Sequence, residues 1–436
     1  MVIKDILKHY WREDKEIFDY WVKVATSMQD VDLYEYVRQK KMYHYKYPGA
    51  NMNLLSCSVC EYRRIHDFSG CSMCNYESND YKCEAYMYVL RKKNTELYSR
   101  AIYESFINVR GGDSTPEITE VLTCYDFLNP DEMPEKAKAM LLEEKLFKKI
   151  PFFQVFECRA TSVCEKELET IKKYVSPTRT KVIIEFGVEV GDEWIRNYWL
   201  HKGLSDQSII KAVELIHKFG FLASADVLIG IPGLSEASSI TLFVETIEFL
   251  EKIGMDNYIV LPLNRKKKTL QGIIYEELAY CEELNEVGIC QKEHTGVPWL
   301  YTIINALSSV LEKKPYLSKK IYLAQVLPQQ NTVDNITAYN QKNCTCNRQI
   351  VKCLELYQRE RKIEHIFKAK SLLDEQNHSC KREYESLVKL QNKLDIKDNM
   401  RIIVEKLSNI IWESQYYRYV NKFENELKLY DRNVIL

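Results

Sequence analysis

The chain carries almost no net charge: 61 Lys and Arg stand against 62 Asp and Glu in 436 residues, a formal charge of −1 at pH 7. So balanced a composition offers no general attraction for nucleic acid or for an anionic membrane, and leaves only a local basic patch for either. Long apolar runs are lacking too. The most apolar stretch, FGFLASADVLIGIPGL, is interrupted by Asp226 and punctuated by Gly and Pro, which excludes it as a membrane span. The opening residues, MVIKDILKHYWRED, are charged throughout and have no apolar core of a signal peptide. The expected location is the cytoplasm, with no membrane partner. In that reducing setting, clustered cysteines among the fourteen present point to metal before disulfide.

Four of them lie in CSVCEYRRIHDFSGCSMC, with the spacing Cys57-x2-Cys60-x10-Cys71-x2-Cys74. Two CxxC pairs on a short loop can bring several thiolates to one centre. A structural zinc knuckle fits the spacing, and so does an iron–sulfur cluster held by three of the four with one iron left open.

Around this loop the chain alternates strand and helix. Residues 1–47 read as helices rich in Tyr and charge, ending at YKYPGAN. Strand-like runs follow at NMNLLSCSV, EITEVLTCYDFL, FFQVFECRA, KVIIEFGVEV, FLASADVLIGIPG and NYIVLPLN, most of them followed by a helical stretch such as SIIKAVELIHKFG. Six such units predict an α/β fold with a parallel sheet, a partial (β/α)6 barrel over 48–330, because parallel neighbours need crossover connections. The extensions 1–47 and 331–436 are expected to be helical. Ligands of parallel βα proteins sit at the carboxyl ends of the strands, and the cysteine loop follows the first strand, at that mouth.

In this order the motifs resemble the radical S-adenosylmethionine (SAM) superfamily, and within it most nearly the archaeosine synthase radical subunit. Likeness to the Elongator catalytic subunit and oxygen-independent coproporphyrinogen dehydrogenase is more distant. GCSMCNY (70–76) resembles that family's G-C-T-M-C-G-Y, and VFECRATSV (155–163) its V-E-S-R-P-E-x-V. FGVEV (186–190), HKGLS (201–205) and VPWLYT (297–302) are similar to G-L-E-S, N-K-G-F-T and P-P-W-L-W-S, and DVLIGIPG (226–233) to the coproporphyrinogen enzymes' D-L-I-x-G-L-P-G. The matches span about residues 51 to 330.

The resemblance implies a [4Fe–4S] cluster on Cys60, Cys71 and Cys74, with Cys57 as the alternative ligand or a plain strand-end thiol. It implies S-adenosylmethionine on the open iron, and one-electron reduction to a 5′-deoxyadenosyl radical that abstracts hydrogen from substrate. Met73 takes the apolar place against adenine. The amine-binding turn falls either at Gly111-Gly112-Asp113, which also reads as a helix stop, or at Tyr125–Pro130 with Asp126, the preferred place. Glu157 and Glu189 close apolar strands and suit the amine and ribose, and Lys202 suits the carboxylate. Asp226, inside an apolar strand, calls for a partner: an ion pair or the cofactor. The run Arg265–Lys268 reads either as a phosphate grip or as a solvated loop. Near the C-terminal extension's first helix, Cys344, Cys346 and Cys353 read as an accessory metal site or as unbound thiols.

The function implied is a radical SAM enzyme of tRNA-base modification, with a flavodoxin- or ferredoxin-type reductant, and with tRNA or a partner enzyme bound. Tailoring of a peptide or small metabolite is a second reading, and a non-catalytic zinc-stabilised binding protein a third. Metal content separates the third from the others: iron with sulfide, or zinc alone.

Overall fold

The computed structural model describes residues 1–39, 43–47, 50–55, 58–75, 80–110, 118–143, 152–175, 179–324, 336–342, 344–375 and 379–433. Eight strands form one sheet in chain order: β1 (Tyr43–Tyr47), β2 (Ala50–Leu54), β3 (Thr119–Thr123), β4 (Phe153–Cys158), β5 (Lys181–Glu189), β6 (Leu222–Ile229), β7 (Asn257–Pro262) and β8 (Ile321–Leu323). From β2 to β8 every pairing is parallel, so the sheet is a curled seven-stranded parallel half-barrel. The six expected strands are all present. The structure adds β8 after β7, and adds β1, which pairs antiparallel with β2 where residues 1–47 read as helical. The alternating aromatic and polar residues of YHYKY suit an edge strand better than a helix.

Crossover helices supply the parallel order. Ser205 and Ser235 accept hydrogen bonds from the backbone N–H groups of Ser208 and Ser238, and so start the helices Asp206–Lys218 and Glu236–Lys252 after β5 and β6. Among the described residues the link from β2 to β3 holds a short helix, Glu61–Ile65, and two long ones, Tyr81–Lys93 and Thr95–Arg110, where the sequence suggested only the last. Each long helical run of the C-terminal extension is divided in two, at Arg361 (φ +50°) and at Glu413 (φ +42°).

One apolar core fills the space between the sheet and its crossover helices. A second lies over the mouth, where both chain ends meet. Val2, Ile6 and Trp11 from the N-terminal helices join Met400, Ile403, Leu407 and Phe423 from the C-terminal ones against Trp194, Trp199 and Leu228 of the barrel. Polar contacts align them. The backbone N–H of Val2 donates to Glu426 at 3.2 Å, and the Trp194 indole donates to the Glu426 carbonyl at 2.9 Å. Gly233, in the turn after β6, has φ +71°, and a Cβ there would lie 2.3 Å from Ile403 Cδ1, so the glycine lets the C-terminal helix approach the mouth. Among the described residues no helix is long and apolar enough to cross a membrane.

Ile403 is fully buried at this joint. Ile403→Ala should cost about 2–5 kcal/mol, seen as a lower midpoint of chemical unfolding. An unchanged midpoint would mean that the C-terminal helices do not pack on the barrel as described.

Candidate functional site

Beyond the carboxyl end of β2 the chain turns through a short helix, Glu61–Ile65, and then through three residues of positive φ, Asp67, Phe68 and Gly70, before Cys71. Backbone bonds hold the loop over the sheet: Ser72 N–H donates to the Leu200 carbonyl at 2.8 Å, and Leu270 N–H to the Ser72 carbonyl at 2.6 Å. His201 Nδ1 donates to the Gly70 carbonyl at 2.5 Å, and burial lowers the His201 pKa to about 4, so the imidazole is neutral at this bond. The Glu61 N–H donates to Glu132 Oε1 at 2.8 Å. These anchors bring Cys60, Cys71 and Cys74 to the wall of one open cleft of about 200 Å³. The three sulfurs do not all come within 4.8 Å of one another. Burial first, then Glu132 and the two neighbouring thiols, push the Cys60 thiol well up. Cys57 and Gly111-Gly112-Asp113 lie outside the described residues.

Across from the thiols are two cations. Lys202 Nζ lies 2.6 Å from Glu189 Oε1, with both side chains nearly buried. Burial opposes the ammonium charge, but Glu189 and Cys71 outweigh it and raise the Lys202 pKa. The pair needs Gly187: a Cβ there would stand 2.4 Å from both Glu189 Oε1 and Lys202 Nζ. A register shift between Gly187 and Glu189, with φ +70° at Glu189, turns that carboxylate into the cleft. Arg159, immediately after β4, is the second cation. Its guanidinium lies 3.9 Å over the Tyr62 ring, its Nη1 is 3.8 Å from Cys71 Sγ, and its Nη2 donates to the Lys202 carbonyl. Burial works against the charge of Arg159, and Cys71 and Cys60 more than compensate. Sequence reasoning passed over Arg159. Its signal was present, a basic residue directly after an apolar strand, within the quoted VFECRATSV.

Glu157 and Asp226 line the floor of the cleft, and Glu185 stands beside them on the sheet. Glu157 and Glu185 are register partners on β4 and β5, and Gly187 faces Asp226 on β6 in the next row. Side chains so placed share one face of the sheet, and like charges set opposite repel. Burial raises the pKa of Glu157, against a hydrogen bond from Thr123 Oγ1. Burial and Glu157 push Glu185 up to about 8, and burial with Glu185 and Glu157 pushes Asp226 well up. Glu185 was not singled out from sequence, because KVIIEFGVEV alone does not show which carboxylate its neighbours oppose.

Of the other expected residues, Met73 lines the cleft and packs on the second core. Asp126 is not on the cleft wall. It lies one layer behind, 1% exposed, accepting from Ser162 Oγ at 2.5 Å, and it is Tyr125 of that turn that reaches the cleft. Within the basic run, Arg265 Nη1 donates to the carbonyls of Glu293 and Thr295, and Lys268 pairs with Asp14, which leaves Lys266 on the cleft. The second cysteine group departs from expectation: Cys344 and Cys346 are joined by Cys380 instead of Cys353. Cys353 lies seven residues along the same helix from Cys346, about 10 Å of rise, too far to share an ion.

No family model matches the chain. An uncharacterised protein of Methanocaldococcus jannaschii is 24% identical over 295 residues, 66% of this chain and 71% of that protein. Among solved structures, the chain is similar to the radical S-adenosylmethionine methyltransferase TsrM from Kitasatospora setae, with tryptophan and a SAM analogue bound (TM-score 0.36, 14% identity, 57% of this chain and 41% of that one). It is also similar to coproporphyrinogen III oxidase from Escherichia coli, a radical SAM enzyme (TM-score 0.33, 10% identity, 54% of this chain and 46% of that one). A third is the archaeal Elp3 of Methanocaldococcus infernus (TM-score 0.37, 16% identity, 62% and 60%). The chain spans less than two thirds of the length of each of these three.

Glu185 yields a test of the acidic floor. With a folded pKa of about 8 against an ordinary 4.5, its proton contributes stability that is fully present below about pH 4.5 and lost as pH rises through about 8. Glu185→Gln cannot ionise, so the fall in melting temperature between about pH 6 and about pH 9 should be smaller than in the unaltered chain. Parallel pH profiles would mean that Glu185 ionises freely.

Proposed function

We propose that the chain is a radical SAM enzyme, with a [4Fe–4S] cluster on Cys60, Cys71 and Cys74. The observation that carries the reading is the joint presence, in one cleft at the strand carboxyl ends, of three thiols and the Lys202–Glu189 pair. The donor set fits the group. A single zinc would gather its thiolates to about 3.8 Å from one another. Cluster thiolates each bind a different iron and stand farther apart, in keeping with three sulfurs that do not all approach within 4.8 Å. With three protein ligands, one iron is left for S-adenosylmethionine. Held by Cys60, Cys71 and Cys74, such a cluster would supply the single electron needed for reductive cleavage of the S-adenosylmethionine sulfonium, the chemistry that starts hydrogen abstraction from substrate.

The chain's own residues bind and orient. Lys202 and Arg159 receive the cofactor's carboxylate. Glu157 and Glu189 accept from its amine and ribose hydroxyls, with Asp226 deeper on the same face. Met73 packs on the adenine, and Asp126 holds the turn and Arg159 from behind. The second core covers one side of the mouth. A flavodoxin- or ferredoxin-type protein is the electron donor we propose. The substrate class we propose is a modified tRNA base, on the likeness of GCSMCNY and VFECRATSV to the archaeosine synthase radical subunit, with Lys266 as the cation of its basic run left at the cleft.

Anaerobic reconstitution should give four iron and four sulfide per chain, visible thiolate-to-iron absorption that bleaches on reduction, and 5′-deoxyadenosine from S-adenosylmethionine. Substituting Ala for Cys60, Cys71 or Cys74 should abolish all three. A colourless protein holding zinc alone at these cysteines overturns the enzymatic reading. Nucleoside mass spectrometry of tRNA treated with the reduced enzyme tests the substrate: an unaltered base profile, with a product formed from peptide or metabolite pools, removes the tRNA assignment and leaves the chemistry standing.

Lys202→Met should keep the cluster but weaken S-adenosylmethionine binding by about 1.5–3 kcal/mol, roughly ten- to a hundredfold by calorimetry, since a charged donor is lost and Glu189 is left unpaired. Unaltered affinity would remove Lys202 from the cofactor site.

A further inference from the structure

Far along the chain from the cleft cysteines, three more thiols converge. Cys344 caps the helix Thr345–Glu360, Cys346 lies in its first turn, and Cys380 lies in the first turn of Ser379–Gln391. Their sulfurs are 3.0 Å (Cys344–Cys346), 3.7 Å (Cys344–Cys380) and 3.6 Å (Cys346–Cys380) apart. Thiolates at about 2.3 Å from a tetrahedral zinc stand about 3.8 Å from one another. Two of the three separations already have that value, and the third reaches it by a small rotation of the half-exposed Cys344. A cubane cluster needs wider spacing, so this geometry selects a single ion where the cleft geometry does not.

The surroundings are built for thiolates. Cys346 and Cys380 are almost fully buried, and Asn340 Nδ2 donates to Cys346 Sγ at 3.3 Å. The Tyr301 hydroxyl stands 3.9 Å from Cys380 Sγ. Two helix N-termini meet at the sulfurs, and each favours negative charge. Tyr301 stacks on Tyr384 with ring centres 4.8 Å apart, the Tyr384 and Thr302 hydroxyls are 3.0 Å apart, and Thr302 Oγ1 donates to Glu236 at the start of the helix after β6. The thiols therefore sit where the C-terminal extension is joined to the barrel helix Leu300–Lys313.

We propose that Cys344, Cys346 and Cys380 bind one zinc ion that ties the starts of the helices Thr345–Glu360 and Ser379–Gln391 together, where the C-terminal extension packs on the barrel helix Leu300–Lys313. Among the described residues no further His, Cys, Asp or Glu joins the three, and the fourth position goes to water on the open side of Cys344. Each thiol releases its proton to solvent as it binds, so the three sulfurs and the divalent ion carry one net negative charge, which the Asn340 amide and the helix ends offset.

The test uses the full chain with Cys60, Cys71 and Cys74 all changed to Ser, so that the cleft competes for no metal. Elemental analysis after zinc loading and gel filtration should find about one zinc per chain. Cys380→Ser on that background should lose it, and Cys353→Ser should keep it. Cobalt(II) in place of zinc should give the intense d–d and thiolate charge-transfer bands of a tetrahedral site, a readout that stands even where Cys380→Ser does not fold. Absence of both bound zinc and cobalt bands overturns the proposal. So does zinc retained without Cys380 or lost with Cys353, or iron and sulfide found at this site instead.

Discussion

The buried ion pair between Lys202 and Glu189 is the contact on which the mouth of the half-barrel is organised. Two charges leave water only where geometry and neighbours compensate, and removing one strands the other. Here the compensation reaches into the backbone. Gly187 has no side chain because the pair occupies its space, β5 shifts register to aim Glu189 inward, and the Lys202 carbonyl is bound by Arg159. Arg159 in turn lies over Tyr62 and beside Cys71. A chain of contacts therefore runs from an acidic strand end to the cysteine loop, and its cations balance carboxylates and thiols that would otherwise repel.

The acidic floor follows from the topology. All strands from β2 to β8 run in one direction, so every strand end and every loop after it lies at one mouth. Glu157, Glu185 and Asp226 are brought onto one face of three neighbouring strands, and burial drives their pKa values up together. A site that favours protonated carboxyls, with cations close by, is suited to a ligand that brings its own positive charge. The amine and sulfonium of the proposed cofactor do so.

The two cysteine groups show how spacing in space, not in sequence, selects a centre. Cys71-x2-Cys74 with Cys60 leaves sulfurs spread around a cleft, while Cys344, Cys346 and Cys380 close to single-ion distance although 34 residues separate the last two. The cleft also depends on the chain ends. Trp11 reaches the cleft wall from the N-terminal helices, and the C-terminal helices cover the turn after β6. The extensions thus complete the mouth, and their apolar faces form the second core with it.

The α/β class, the six strands from β2 to β7, their parallel order, the carboxylates Glu157 and Glu189 that close apolar strands and Asp226 inside one could be read from the sequence alone. Each rests on local signals: alternation of apolar residues, helix starts at Ser205 and Ser235, and polar residues closing apolar runs. What tertiary structure decided was which of these groups meet. Asp126 and Tyr125 are adjacent, yet only Tyr125 reaches the cleft, because the turn buries the carboxylate against Ser162. Arg159 and Glu185 acquire meaning only from neighbours on other strands. Cys380 replaces Cys353 beside Cys346 because two helices meet end to end, whereas residues seven apart on one helix stay about 10 Å apart however the chain folds. Periodicity along a chain carries the direction a side chain takes within its own element. The distance between side chains of different elements is set by packing, and no local pattern records it.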